Sequence, residues 1–204
     1  MSRYRFFTWV FLLHFTALFT GPAGAQQPNA IQVVEAFHQS LLEVMKEAKT
    51  LGVKGRYKKL ASRIERSFHL PLMIQVATSS HWRKADEERV DKLVAAFTRL
   101  SISTYASQFD GYSGQSFETR GEKPGPQKTR IVRTKLRKSD KSTIDIAYVM
   151  LRFKEGWKII DVILDSGISE LKVRQSEYRM VLKKEGVPGL ISLLNNTADE
   201  LISK

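Results

Sequence analysis

Apolar residues recur every three or four positions over most of the first hundred residues, which is the spacing of amphipathic helices. One stripe predicts a helix that ends near Gly52; its members are Ile31, Val34, Phe37, Leu41, Met45 and Ala48. A second, more basic helix is predicted between Gly55 and His69, and Pro71 then interrupts the pattern. The apolar segment 72–74 predicts a turn or a short helix rather than a strand.

A third stripe begins after an acidic pair and ends at Gly111. Glu87 and Glu88 lie in its predicted first turn, where the helix macrodipole favours negative charge. The second half of this stripe is unusually rich in large side chains: Phe97, Leu100, Tyr105 and Phe109, with Tyr112 just past the end. Such a stripe is typical of a packed core and also of a ligand-binding wall, and the pattern alone favours the core.

Between residues 114 and 164 the helical spacing gives way to an alternation of β-forming and charged residues. Four strands are predicted: one around Phe117, then 132–136, 144–150 and 157–164, with a loop from Gly121 to Pro126. Because the turns between them are short, neighbouring strands should be antiparallel. The last strand contains Asp161, and simple alternation places Asp161 on the same face as Trp157 and Ile159.

The remaining segment predicts two more helices. Ser166 or Ser169 can cap the first, Gly186 stops it, and Pro188 suits the start of the second. The order of elements is therefore helices, an antiparallel sheet of about four strands, and helices. This order predicts an α+β fold, with N-terminal and C-terminal helices packed on the sheet.

The first 25 residues have the pattern of a secretory signal peptide. Arg3 and Arg5 precede an apolar run from Phe6 to Phe19, and small residues at 23–25 predict cleavage after Ala25. A retained membrane anchor is the weaker alternative, because the run is shorter than the roughly 20 residues of a bilayer span. We therefore expect one mature domain, 26–204, in the periplasm.

Composition and charge narrow the possible partners. The 204 residues include no cysteine, which excludes disulfides and thiolate metal sites from this exported chain. Cleavage removes two arginines and no acid, so the formal net charge falls from +12 to +10. Export separates the chain from nucleic acid, which leaves anionic lipid headgroups, acidic faces of envelope proteins, or a solvated surface that has no partner.

Two groups of basic residues are predicted to form this charged surface. Arg133, Lys135 and Arg137 alternate with apolar residues in the second strand and should face solvent. The second helix adds Lys54, Arg56, Lys58 and Lys59.

The sequence contains few residues in patterns typical of a catalytic or metal site. One of its four histidines lies in the predicted signal peptide, and the others lack the ligand spacing of a metal site. Neither a phosphate-binding glycine loop nor a nucleophile elbow is present. Asp161 is the one acid within an apolar strand; it could act as a general base with a raised pKa, or be satisfied by neighbouring donors, and the second is the commoner case. We expect no enzyme activity, no metal and no cofactor.

In several segments the chain resembles the MlaC (toluene-tolerance) family of periplasmic phospholipid-shuttle proteins. The matching segments occur in the family's order and cover nearly the whole mature chain: 80–86, the aromatic stripe 93–105, 144–150, 155–162, 165–169 and 189–191. Segments 52–57, 68–73 and 108–114 are most similar to the HpnM branch, which is associated with hopanoid biosynthesis. In one departure, Ala85 replaces the Thr or Ser that usually precedes the acid-led helix, and this should weaken the helix cap.

The resemblance implies a phospholipid or hopanoid bound in an apolar pocket between a curved sheet and helices. It also implies transient membrane contact and delivery of the lipid between envelope membranes with inner- and outer-membrane transport components, including an ABC transporter. The predicted lipid-binding residues are Phe97, Leu100, Tyr105, Phe109 and Tyr112 from the helix, with Ile144, Ile146, Tyr148, Met150, Trp157 and Ile159 from the sheet. The alternatives are an enzyme acting on a polycyclic lipid, with Asp161 or Tyr148 as acid or base, and a non-lipid envelope adaptor with a filled core.

Overall fold

A computed structural model describes residues 27–165 and 167–203. The predicted signal peptide lies outside these residues. The N-terminal helices are α1 (Ala30–Lys46), α2 (Ala48–Ser67), α3 (Leu70–Thr78), α4 (Ser80–Lys84) and α5 (Glu87–Gln108). Within the described part of the chain, no helix is both long enough and apolar enough to cross a bilayer.

Local sequence explains where the helices begin and bend. The Asn29 side chain accepts a hydrogen bond from the Gln32 amide at 2.9 Å, and the Gln32 side chain accepts one from the Asn29 amide at 2.8 Å. This capping box starts α1. The predicted break at Gly52 is a kink inside α2, where Gly52 has a φ of 56° that residues with a Cβ rarely adopt.

The start of α5 differs from the expectation. Asp86 is its N-cap, with a side-chain oxygen 2.9 Å from the Arg89 amide nitrogen. The cap that Ala85 was expected to weaken is therefore intact, one residue further along the chain.

Arg56 is buried, although the sequence predicted that it lies on the basic surface. It is only 7 % exposed, and its Nε and Nη1 donate to the carbonyl oxygens of Ala106 (2.7 Å) and Ala48 (3.1 Å). The prediction that it belongs to the basic surface was wrong. Instead Arg56 joins α2 to the last turn of α5, satisfying carbonyl groups that a helix end leaves unpaired.

Five strands form one antiparallel sheet in the order of the chain. They are β1 (Ser116–Pro124), β2 (Arg130–Arg137), β3 (Thr143–Phe153), β4 (Gly156–Leu164) and β5 (Ile168–Ser169). The predicted α+β class with a curved antiparallel sheet is confirmed. β5 is an additional two-residue strand, and β1 runs through most of the predicted loop, because an irregularity between Thr119 and Gly121 keeps it in register with β2.

A β-bulge in β4 changes which side chains face the helices. Met150 of β3 pairs with Ile159, whereas its neighbour Val149 pairs with Asp161, so that Ile160 is an extra residue. Beyond the bulge the alternation is shifted by one position. Asp161 therefore does not share the face of Ile159, and that expectation was wrong.

The last helix, α6 (Glu170–Ile202), is divided at Gly186, where φ is 65° and ψ is −160°. Its first part, 170–185, contacts α3, where the Gln175 side chain donates to the Ser79 hydroxyl at 3.1 Å. Its second part, 187–202, lies along α5, and Arg99 donates to the Asn195 carbonyl at 3.2 Å and pairs with Asp199. The two parts thus have different neighbours.

Candidate functional site

A cavity of about 240 Å³ lies between the sheet and the helices. Its sheet wall consists of Ile146 and Tyr148 of β3, Val162 and Leu164 of β4, and Phe117 of β1. The helices contribute Leu41, Ile64, Phe68, Leu70, Met73, Phe97, Leu100, Ser101, Thr104, Tyr105, Gln108, Phe109, Glu170, Leu171 and Arg174. Most of these side chains are apolar, so the cavity suits a hydrocarbon group better than a polar one.

Aromatic rings support one side of the cavity. The buried Phe37 ring makes edge-to-face contacts with Phe68 (5.1 Å between centroids), Tyr105 (5.3 Å) and Tyr148 (6.4 Å). Tyr105 in turn stacks on Phe109 at 5.8 Å. These separations lie in the favourable range for ring pairs, so Phe37 fixes the wall residues from behind.

His38 contacts two wall residues, Tyr148 and Phe117. Its Nε2 lies 2.8 Å from the Tyr148 hydroxyl, and its ring stacks on Phe117 at 3.9 Å. Burial lowers the pKa of His38 to about 3, so the imidazole is neutral at ordinary pH. A neutral imidazole and a phenol satisfy each other, which leaves an apolar ring face on the wall.

The polar lining residues come from two helices, and we call this polar part of the lining the mouth. Ser101, Thr104 and Gln108 belong to α5, and Glu170 and Arg174 belong to the first turns of α6. Gln108 is exposed, and the Arg174 side chain retains 32 % of its accessible surface. The polar part of the lining is therefore accessible to solvent at Gln108 and at Arg174.

The phenols on the wall are not available for acid–base chemistry near neutral pH. Burial raises the pKa of Tyr105 and of Tyr148 well above the ordinary value, and the charge of Glu170 adds to the increase for Tyr105. A phenol in this state is neither deprotonated nor a useful proton donor at pH 7.

The structure brings six of the eleven predicted site residues together on the cavity wall. They are Phe97, Leu100, Tyr105, Phe109, Ile146 and Tyr148. Each lies on α5, at its C-terminal end, or on β3, where the periodicity is regular and correctly identifies the inward face.

The other five predicted residues lie elsewhere. Met150 and Ile159 have no exposed surface, because α2 and α3 pack directly on that end of the sheet; the His69 amide donates to the Ile159 carbonyl at 2.9 Å. Trp157 and Ile144 are half-buried against the core outside the cavity. Tyr112 is 43 % exposed, with the Lys46 ammonium 5.3 Å from its ring centroid.

Several lining residues were missed by reasoning from the sequence. Val162 and Leu164 face the cavity only because the bulge at Ile160 shifts the alternation. Glu170 and Arg174 come from α6, whose N-cap is Ser169, one of the two candidate serines, but the sequence did not indicate that this helix borders the cavity. Ile64 and Phe68 lie within the predicted second helix, between Gly55 and His69, but only tertiary packing brings them to the cavity.

Asp161 is satisfied by donors and is not among the residues that line the cavity. Its carboxylate accepts hydrogen bonds from the Ser169 hydroxyl (2.5 Å), the Val162 amide (2.8 Å) and the Leu171 amide (3.1 Å). Leu171 lies in the first turn of α6, so Asp161 anchors the N-terminus of that helix to the sheet. The alternative of Asp161 as a catalytic base in the cavity is therefore excluded. Among the described residues, no group of three potential metal ligands is found either.

Fold and cavity together place the chain among α+β proteins with a sheet-backed apolar interior. Comparison with family models then gives a match to the MlaC protein family over residues 35–196. The chain belongs to the MlaC family, whose members are binding proteins rather than enzymes.

A solved structure supports the fold. The phospholipid-binding protein from Ralstonia solanacearum, determined in complex with a phospholipid, matches with a TM-score of 0.75. The alignment covers 87 % of this chain and all of the Ralstonia chain, at 19 % sequence identity. No curated protein matches the chain in sequence.

Proposed function

We propose that this protein is a periplasmic lipid carrier that binds one phospholipid or hopanoid in the cavity and transfers it between envelope membranes. The observation that carries the proposal is an apolar cavity with a polar mouth, in a chain of the MlaC family. Each CH₂ group removed from water contributes about 0.8 kcal/mol, so a long-chain lipid needs an enclosing carrier to cross an aqueous compartment.

The size of the cavity bears on how the lipid is held. At about 240 Å³ it lies below the range of roughly 300 to 1,000 Å³ for pockets that enclose a drug-sized ligand. It accommodates part of one hydrocarbon chain. A carrier of complete lipids must therefore enlarge this cavity on loading.

Location and partners follow from the same proposal. MlaC proteins are periplasmic, and the N-terminal pattern of this chain suits export to that compartment. We infer transient contact with the membrane and with inner- and outer-membrane transport components, since a carrier must collect and release its lipid.

Native mass spectrometry of protein purified from the periplasm tests the carrier function. We expect a co-purifying lipid, which lipid extraction and fragmentation would assign as a phospholipid or a hopanoid. Leu171→Trp places a large ring on the cavity wall and should reduce bound lipid severalfold. Leu193→Trp is the matched control, because Leu193 is 39 % exposed on the second part of the same helix.

Two outcomes would contradict the proposal. Protein that is empty after mild purification and does not bind a fluorescent fatty acid would favour the envelope adaptor. Equal lipid content in both tryptophan variants would place the lipid somewhere other than this cavity.

A further inference from the structure

The mouth of the cavity carries two opposite charges on one helix face. Glu170 and Arg174 are four residues apart in α6, which places them one turn apart on the same side, and both line the cavity. They are its only charged lining residues in the described part of the chain. The lining thus contains one carboxylate and one guanidinium beside its apolar and neutral polar side chains.

Both groups retain capacity to bind a ligand. Among the described residues Glu170 makes no side-chain hydrogen bond or ion pair, and its charge acts on the Tyr105 phenol inside the cavity. Arg174 uses Nη1 for Glu177 Oε2 at 3.0 Å. A guanidinium has five N–H donors, so Nη2 and Nε can bind a phosphate oxygen.

The part of the mouth that α5 contributes supplies acceptors. The hydroxyls of Ser101 and Thr104 donate to the carbonyl oxygens of Phe97 (2.8 Å) and Leu100 (2.9 Å) one turn earlier in α5. Their protons are therefore occupied, whereas their oxygen lone pairs remain available. This side suits a group rich in N–H donors, such as a primary ammonium.

We propose that the mouth selects a zwitterionic lipid headgroup in which a phosphate is followed by a primary ammonium, as in a phosphoethanolamine lipid. The phosphate binds Arg174, and the ammonium binds Glu170 with Ser101 and Thr104. This inference rests on the proposed carrier function. An anionic headgroup without an ammonium would leave Glu170 without a cationic partner from the lipid, and an uncharged headgroup would supply no ionic partner to either Glu170 or Arg174.

Competition between lipids tests the assignment. Delipidated protein is incubated with vesicles that contain phosphatidylethanolamine, phosphatidylglycerol and diacylglycerol of identical acyl chains in equal amounts, and the captured lipids are quantified by mass spectrometry. We expect phosphatidylethanolamine to exceed each of the others about fivefold, which is the effect of one partly exposed ion pair.

Four variants assign the preference to the mouth. Glu170→Gln should abolish the preference for phosphatidylethanolamine over phosphatidylglycerol, and Arg174→Gln should abolish the preference for phospholipid over diacylglycerol. Glu200→Gln and Arg179→Gln make the same changes in charge at exposed positions of α6 outside the cavity, and they should capture lipids as the wild type does. Thermal melting of all four confirms that each is folded.

The experiment distinguishes a wrong headgroup assignment from a wrong carrier function. Equal capture of the three lipids, a preference for the uncharged one, or variants that leave the preference unchanged would overturn the headgroup assignment while the protein still carries lipid. Capture of no lipid from any vesicle would overturn the carrier function itself.

Discussion

His38 shows how a single polar side chain shapes an apolar wall. It is buried, bonded to the Tyr148 hydroxyl and stacked on Phe117, so it faces two residues that line the cavity. Apolar surroundings disfavour the imidazolium form, and burial lowers the pKa of His38 from 6.5 to about 3. The wall therefore depends on this histidine being neutral.

Stability should consequently fall in acid. Between pH 6.5 and about 3 the unfolded chain binds a proton at His38 that the folded chain does not bind. The free energy of unfolding should decrease as the pH drops through this interval, on the order of 1 kcal/mol per pH unit from this group. His38→Gln, whose amide reaches Tyr148 without titrating, should flatten the pH dependence measured by urea unfolding between pH 7 and 4.

His81→Gln is the control for this measurement, because His81 lies on the short helix α4, which contains no buried residue. It should show the acid destabilisation of the wild type. Equal slopes in the wild type and in His38→Gln would mean that other groups dominate the acid response.

At the scale of elements, α6 is the part whose construction permits the cavity to change size. Its first part, 170–185, carries three lining residues, and its second part is fixed to α5 through Arg99. Gly186 separates the two parts with a backbone conformation outside the helical region. A change in the dihedral angles at this glycine can move the first part while the second stays in place.

Cross-linking can test this movement, because the chain contains no cysteine of its own. In Ser79→Cys/Gln175→Cys a short thiol-cleavable bis-thiosulfonate linker should fasten the first part of α6 to α3 and slow lipid exchange at least severalfold. Cleavage of the linker should restore the rate. Arg99→Cys/Asp199→Cys fastens the second part to α5, and linking it should leave exchange unchanged. Exchange at the wild-type rate with the first pair linked would show that the cavity opens elsewhere.

The same elements show how much the sequence could predict. The periodicity of α5 identified its inward face, because a helix 22 residues long contains many repeats and tolerates no local slip. In β4 the extra residue Ile160 means that every residue after it faces the side opposite to the one that simple alternation predicts. The nine-residue pattern of apolar and polar positions does not reveal this bulge. The contributions of α2, α3 and α6 to the cavity depend on packing between segments far apart in sequence, which local patterns do not encode.

For the whole molecule, the basic residues of β2 differ in how far they are available to an external partner. Arg133 and Arg137 are exposed on the side of the sheet opposite the buried Val132 and Thr134, whereas Lys135 pairs with Asp145 at 2.8 Å. A surface of one sign accelerates encounter with an oppositely charged membrane, and salt screens the effect over about 10 Å at 0.1 M. The two arginines are thus better candidates for membrane attraction than Lys135.

Arg133→Glu/Arg137→Glu should slow lipid delivery to anionic vesicles at low ionic strength, and the difference should shrink as salt is added. Bound lipid and melting temperature should change little, because both side chains are exposed. Lys183→Glu/Lys184→Glu changes the net charge equally on exposed positions of α6. An equal effect of both pairs would assign the attraction to overall charge, and no effect of either would make these arginines simply a solvated strand face.

The extra residue in β4 also has a genetic consequence. Loss of the single codon for Ile160 would leave Ile159, Asp161 and Val162 opposite consecutive residues of β3, so Val162 and Leu164 would stay inward and Asp161 outward. The carboxylate would then keep the amide of Leu171 as a partner, and α6 would keep its attachment to the sheet. A deletion of three nucleotides would thus remove the bulge but not the hollow interior, and homologous chains should tolerate the loss of this residue as readily as its substitution.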